Sequence, residues 1–309
     1  MITNTSMQCA LRCPREYYYA HERRLVPIGL PRPILLGKAF DNARGEVMSG
    51  KSADEALFGD VALQEHDSDI LRLLLIGWVA MWGGCGGGPF PGTKWEPHIK
   101  FEFDYAGLDV RGEFDGAHDS MGLDKTSIYE LKLTTSDISP GSLWWERTRL
   151  DTQIAMYLFA ARQIYNRTPE LTYDAVHFPD DIKRKLATPE GVRKYRKDGV
   201  LYAGQRAEDE TEEEHLARIE EAIATDPGRF YQRRIIRRSN AELDEFAAEV
   251  VATQEVIRLY SRLETWPRSM QQSACNKFGH RCGYYEVCCG NAAITDPTLF
   301  KASDYDRMT

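Results

Sequence analysis

The sequence predicts an α/β fold, and three observations carry that expectation. Three consecutive strand-length segments, "IKFEFDY", "LDVRGEFDG" and "SIYELKLTT", end in Gly, Asp or Ser turns and read as an antiparallel meander. A helical spacing follows from about residue 149 to 165, with Leu150, Ile154, Tyr157, Leu158, Ala161 and Ile164 on one face, before "LTYDAVHF" returns as a strand. Helical segments flank this block on both sides, as an α/β core requires. With 309 residues, 42% of them hydrophobic and 28% charged, the chain has an ordinary globular composition and length for a sizeable core.

Taken in order, "CALRCPREYYYAHERRL" predicts a first helix, and "DEALFGDVALQEHDSDILRLLLIGWVAMW" predicts two more, separated near "EHDSD". The most apolar run, "ILRLLLIGWVAMW", carries Arg72 and is shorter than the roughly 18 residues of a membrane span. The N-terminus lacks a basic start followed by an apolar secretory core, so a cytoplasmic protein with no membrane partner is expected. "GGCGGGPFPGTK" has the glycines of a phosphate loop without its order of Gly, Lys, Ser/Thr or a preceding strand, and reads as a connector.

Beyond the core, residues 183–197 hold seven basic side chains (Lys183, Arg184, Lys185, Arg193, Lys194, Arg196, Lys197) against Glu190 alone. Residues 208–221 reverse the balance with eight acids against Arg218, which suits a solvated helix face, a lid or a mobile insertion. "FYQRRIIRR" reads as an edge strand, and "SNAELDEFAAEVVATQEVIRLYSRLE" as a long amphipathic helix opened by a capping box from Ser239 to Glu242. A single domain is expected, in four parts: a helical region 1–95, a core 96–180, a charged insertion 181–228, and a terminal strand, helix and cysteine cluster 229–309. The formal charge of −8 argues against indiscriminate nucleic-acid binding, yet leaves room for a local basic groove at the 183–197 run or "RRIIRR".

The chemistry concentrates in "SIYELKLTT". Strand alternation puts Tyr129, Leu131 and Leu133 on one face and Glu130, Lys132 and Thr134 on the other. Such a strand can be an ordinary half-exposed one with a surface ion pair. Upstream, Asp115 in "RGEFDG" ends a strand 15 residues before Glu130, enough for a turn and a return, so the two carboxylates can meet at one sheet edge. Paired carboxylates repel, and a hard divalent cation relieves that repulsion. Lys132 on the same face can orient a nucleophilic water and offset charge developing at phosphorus. Gln153 and Tyr157, at i and i+4, share one face of the following helix.

In "GEFD", "ELK" and "QIAMY" the chain resembles the PD-(D/E)XK nucleases of the RecB type. The resemblance implies a restriction-endonuclease-like core with a central mixed sheet flanked by helices, and a Mg²⁺- or Mn²⁺-dependent deoxyribonuclease. Its implied metal ligands are Asp115, Glu130 and the carbonyl of Leu131, with Lys132 catalytic and Gln153 and Tyr157 organising substrate or site. Where that family often carries a histidine in a segment like Gly-x-x-x-His, "GKAFDNA" places Asp41, which can also ligate Mg²⁺. The implied activity is exonucleolytic, on DNA with a free end, in recombination, repair or phage DNA processing alongside a recombination or repair protein. The alternative is a catalytically silent DNA-binding or assembly subunit of the same fold.

Seven cysteines in a reducing compartment do not suggest a disulfide framework. "CNKFGHRCGYYEVCCG" brings Cys275, Cys282 and Cys288 close together, three thiolates needing a fourth ligand for either a zinc site or a Cys₄ iron–sulfur cluster, and spacing alone leaves both open. Iron–sulfur members of the family, of AddB, CRISPR-associated and phage type, take one cysteine before the core and three after it. By that resemblance Cys13 in "CPREYYY" joins Cys275, Cys282 and Cys288 around a [4Fe–4S] cluster, a C-terminal clasp, with structural Zn²⁺ as the alternative. Cys9 and Cys289 are spare candidates.

Overall fold

A computed structural model describes residues 1–56, 63–82, 96–119, 126–166, 169–277 and 280–303. The glycine-rich connector and Cys85 lie outside the described residues. The expected first helix is broken. Helix α1 (Asn4–Arg12), capped by Thr3, ends at Cys13, whose backbone is extended, because Pro14 has no N–H to continue the ladder and instead starts α2 (Pro14–Tyr17). A π-helical turn, Tyr18–Glu22, leads to strand β1 (Leu25–Pro27).

Helix α3 (Arg32–Met48) was not legible as an element. Its buried residues, among them Leu36, Phe40, Ala43, Arg44 and Val47, form a broad face that includes a charged side chain, which blurs the amphipathic signal. Helix α4 (Glu65–Trp82) starts at "EHDSD", as the sequence indicated, whereas the helix expected before it falls largely on residues 57–62, outside the described residues.

The centre is a five-stranded sheet of order β2-β3-β4-β5-β6. Strands β2 (Glu96–Tyr105), β3 (Leu108–Asp119) and β4 (Thr126–Thr134) form the expected antiparallel meander. Short α5 (Leu143–Arg147) and α6 (Thr152–Tyr165) then cross over to β5 (Glu170–His177), which runs parallel to β4. After α7 (Glu212–Thr225) and short α8 (Pro227–Phe230), strand β6 (Tyr231–Ile236) closes the edge antiparallel to β5. The sheet is therefore mixed and flanked by helices, the α/β architecture expected.

Two apolar cores lie on opposite faces. Ile128, Phe114, Ile154, Tyr157, Leu158 and Phe246 belong to the one beneath α6 and α9 (Asn240–Arg262). Tyr129 and Leu131 join Phe40, Leu74 and Trp78 in the other, against α3 and α4. The capping box at Ser239 and Glu242 is present. In the acidic stretch, α7 exposes Glu212, Glu213 and Glu214 and buries His215, Ile219 and Ile223, so it is an amphipathic helix with one solvated face.

The C-terminal region returns to β1, while Ile2 bridges to Val110 on β3. After the ribbon β7 (Asn276–Lys277) and β8 (His280–Arg281) and the turn of α10 (Tyr285–Cys288), strand β9 (Phe300–Ala302) pairs antiparallel with β1. The Tyr284 hydroxyl donates to the Leu25 carbonyl at 2.7 Å. Among the described residues no helix is long and apolar enough to cross a membrane.

Candidate active site

The β3–β4 ladder runs from Asp119 opposite Thr126 to Gly116 opposite Tyr129, and stops. The next residues along the two strands are Asp115 and Glu130. Continuing the register would put them face to face; instead the strands part, and Asp115 Oδ2 accepts the amide N–H of Leu131 at 2.8 Å. Opposite residues of an antiparallel pair share a face, so both carboxylates turn towards α6. Phe114 also packs edge-on against Tyr157 from that side, at 5.3 Å between centroids, so strict alternation lapses at Phe114 and Asp115. The lapse coincides with His98 on β2, which falls between the pairs Pro97–Gly116 and Ile99–Phe114 and has a left-handed backbone, φ 54°.

Glu130 is fully buried, and among the described residues its carboxylate meets the Lys132 ammonium at Oε1 and no other donor. Lys132 lies against it as an ion pair, with its own side chain 35% exposed. Burial, and then the charge of Asp115, push Glu130 well above the usual carboxylate range. Burial and the neighbouring Asp41 push Asp115 up likewise. Against the opposing effect of burial, Glu130 and Asp115 hold the Lys132 ammonium above its ordinary value. The constellation is thus two carboxylates with unmet demand for positive charge and one cation that meets part of it.

Helix α6 adds the predicted polar pair. Asp151 caps it, accepting from Gln153 N at 2.7 Å, and Gln153 Nε2 donates to the Tyr157 hydroxyl at 3.1 Å. Burial, then Glu130 and Asp115, raise the Tyr157 hydroxyl well above its ordinary range, so it stays a neutral donor. A groove of about 540 Å³ opens beside Asp115, lined by Gln153 and Tyr157, by Lys38 and Lys100, by Glu102 and Glu113, and by Arg111, which pairs with Glu102 and Asp109.

Asp41 sits on α3 at the margin of this cluster. Its Oδ1 accepts from Arg44 Nε at 3.1 Å and Nη2 at 2.6 Å, and Oδ2 lies 3.7 Å from His98 Nδ1. His98 Nδ1 is 3.2 Å from Glu113 Oε1; that contact first, and Asp41 next, raise its basicity against the cost of burial. A side chain at Gly45 would meet His98 Nε2 at 2.6 Å, so only glycine lets the imidazole lie on α3. Sequence reasoning missed three residues here: Arg44, His98 and Asp151. None carries a motif; the polar position at a helix start was the single available sign of Asp151.

The site can be tested for a divalent cation on its own chemistry. Among the described residues, Glu130 offers a buried carboxylate whose Oε2 has no donor and whose Oε1 meets the Lys132 ammonium, and Asp115 a second carboxylate, which suits a hard cation that keeps most of its shell as water or substrate oxygen. At the other end of the molecule, burial raises the Cys282 thiol to about 11, and Cys13 and Cys288 contribute to that shift. Cys288 is raised too, with Cys13 and Cys275 among the causes, and the Cys282 amide donates to the Cys275 carbonyl at 2.8 Å, which brings Cys275 beside the other three. Cys9 is also close: burial drives it to about 12, with Cys13 and Cys282 contributing. Four soft thiolates suit iron–sulfur or zinc alike. Among the described residues, however, no three His, Cys, Asp or Glu side chains are gathered into a ready-made metal cage at either place.

The arginines of "RRIIRR" are engaged within the fold, contrary to the expectation of a phosphate-tracking edge. Arg233 forks onto buried Asp174 at 2.5 and 2.6 Å, and Asp174 also accepts from Trp78 Nε1 and the Tyr129 hydroxyl. Arg234 lies over the Trp145 ring at 4.1 Å, Arg237 pairs with Glu170, and Arg238 donates to the carbonyls of Thr148 and Arg149.

No family model matches the chain, and no curated protein matches it. Among solved structures it is similar to a Eubacterium rectale protein provisionally described as an exonuclease, at 11% identity over 96% of this chain and 89% of that one, with a TM-score of 0.47.

Proposed function

We propose that the protein is a divalent-cation-dependent DNA nuclease, with Asp115, Glu130 and Lys132 at its centre. The observation that carries this reading is the pairing of Asp115 with a buried Glu130 whose Oε1 meets the Lys132 ammonium and whose Oε2 meets no donor among the described residues, with Asp115 at the wall of an open groove that Lys38 and Lys100 also line. Asp115, Glu130 and the Leu131 carbonyl would hold Mg²⁺ or Mn²⁺, with Asp41 a further carboxylate nearby. When bound, the cation would supply Lewis acidity towards a phosphoryl oxygen and lower the cost of the clustered negative charge. Lys132 orients the attacking water and offsets charge developing at phosphorus. Gln153 and Tyr157 donate hydrogen bonds into the groove and position the strand, and Lys38 and Lys100 meet its phosphates.

Action at a free end, in recombination, repair or phage DNA processing with a protein partner, is the finer form of this proposal. So is a [4Fe–4S] cluster, or structural Zn²⁺, on Cys13, Cys275, Cys282 and Cys288. The test uses end-labelled linear and covalently closed circular DNA with Mg²⁺, Mn²⁺ or EDTA. Cation-dependent cleavage of linear DNA that Glu130→Gln abolishes is expected; circular DNA should survive. Calorimetric titration of Mn²⁺ should show binding that Asp115→Asn weakens at least tenfold. Wild-type protein that binds DNA but cleaves none under any of these conditions would leave a silent binding subunit.

A further inference from the structure

The charged insertion carries a feature that the site does not use. Tyr195 and Leu201 form an antiparallel bridge, Arg196 N–H donates to the Val200 carbonyl at 2.7 Å, and Tyr202 N–H donates to the Lys194 carbonyl at 3.0 Å. Gly199, at φ 80°, turns the chain, and the Asp198 carboxylate accepts the Val200 amide at 3.1 Å. Residues 194–202 are therefore a small hairpin. Its base is pinned: the Lys194 amide donates to Gln205 Oε1 at 2.7 Å, and Arg193 reaches the carbonyls of Thr188 and Ala207.

Directly opposite residues share a face, and alternation assigns the rest. Lys194, Arg196, Val200 and Tyr202 lie on one face, Tyr195 and Leu201 on the other. Tyr202 is 52% exposed, with Lys194 across from it and Arg196 beside it. Among the described residues, Lys194, Arg196 and Lys197 have no carboxylate partner, in a chain whose formal charge is −8. The insertion springs from the carboxyl end of β5, where Ala175 pairs with Lys132 and His177 with Thr134, so it leaves the sheet at the edge towards which β4 carries the site.

We infer that this hairpin is a finger for single-stranded DNA: Tyr202 stacks on an unpaired base, and Lys194 and Arg196 take the phosphates on either side. An exposed ring flanked by unpaired cations matches the alternating chemistry of a single strand, whereas a duplex hides the faces of its bases. The inference rests on the nuclease reading for the nature of the ligand and deepens it by naming the strand state.

The experiment is fluorescence anisotropy of the full chain with labelled oligothymidine and a duplex of equal length, in EDTA so that nothing is cleaved. Tyr202→Ala should weaken oligothymidine binding at least fivefold and leave duplex binding within twofold, while Tyr202→Trp retains both. Tyr195→Ala, on the opposite face, should leave both within twofold. Lys194→Gln with Arg196→Gln should flatten the slope of log affinity against log salt by about one to two. Wild-type binding by Tyr202→Ala, or an equal loss in Tyr195→Ala, would overturn the finger. So would variants that lose binding to anionic phosphatidylserine vesicles while keeping the oligonucleotide. Cleavage measured in parallel separates the two readings: intact cleavage with finger-independent binding removes the finger alone, and absent cleavage with finger-dependent binding removes the nuclease alone.

Discussion

Arg44 Nη2 donates to the backbone carbonyl of Asp115 at 2.8 Å while the same nitrogen serves Asp41 Oδ1 at 2.6 Å. The guanidinium is wholly buried, stacks over the Tyr129 ring at 4.9 Å, and ties α3 to the point where β3 and β4 part. Arg44→Ala should lower stability by about 3 kcal/mol or more, since it breaks a buried charge pair and empties its space. Arg44→Lys keeps the charge and loses the planar fork, so it should fold and yet cleave at least tenfold more slowly. Urea denaturation and cleavage rates, measured together, check both; a Lys variant with wild-type cleavage would show that Arg44 serves stability alone.

Gln153 and Tyr157 act through one hydrogen bond. Gln153→Ala and Tyr157→Phe should each cost DNA affinity about 1 kcal/mol, and the double variant little more than either. Full additivity in a binding cycle would mean that the two residues touch substrate independently.

The sheet and its carboxylates were legible because strand alternation and motif spacing report local geometry. "GEFD" and "ELK" therefore put Asp115, Glu130 and Lys132 near one another, although alternation lapses at Asp115, and "QIAMY" put Gln153 and Tyr157 on one helix face. What the sequence could not show is what comes from distant segments. Arg44 and His98 reach the site from α3 and β2 through tertiary contacts, and α3 buries a charge that disguises its inward face. Pro14 was visible but its effect was underestimated: it divides the first helix at Cys13. The arginines of β6 read as a surface because Asp174 and Glu170, which engage two of them, lie some 60 residues away.

Asp174 itself gives a prediction. It is buried and accepts from Trp78, Tyr129 and Arg233. Asp174→Asn would leave Arg233 without its counter-charge, and should destabilise the fold by about 3 to 5 kcal/mol. Asp174→Asn together with Arg233→Met should recover most of that loss in a denaturant titration.

Glu210 links pH to the insertion. Its carboxylate accepts from Arg218 Nε at 2.9 Å and from the Lys185 amide at 2.8 Å; Arg218 first, against burial, lowers it from its ordinary 4.5 to about 2. The unfolded chain therefore takes up the proton before the folded one does. The stabilisation is complete above about pH 4.5 and is lost as the pH falls towards 2. Hydrogen exchange at residues 183–206 should accelerate across that window, and Glu210→Gln should show the fast exchange already at pH 7.

The cysteines can be separated experimentally. Anaerobically purified protein should be brown and contain iron and sulfide, and Cys13→Ala should lose the colour. Because β1 already pairs with β9 and Tyr284 with Leu25, the ends should stay associated without the cluster, so Cys13→Ala should remain folded at room temperature. Stoichiometric zinc in a colourless protein would identify the alternative metal, and loss of colour in Cys9→Ala but not Cys13→Ala would exchange the two cysteines.

The ladder that ends at Gly116 and Tyr129 also sets where this chain cannot take insertions. Its pairs, from Asp119–Thr126 to Gly116–Tyr129, fix the parity of both strands. One residue added between Tyr129 and Lys132 would send Lys132 to the face occupied by Leu131, and no compensating substitution at a single position could bring it back. Length variation is thus forbidden between Tyr129 and Lys132, a constraint that a scanning-insertion library through this strand would map directly.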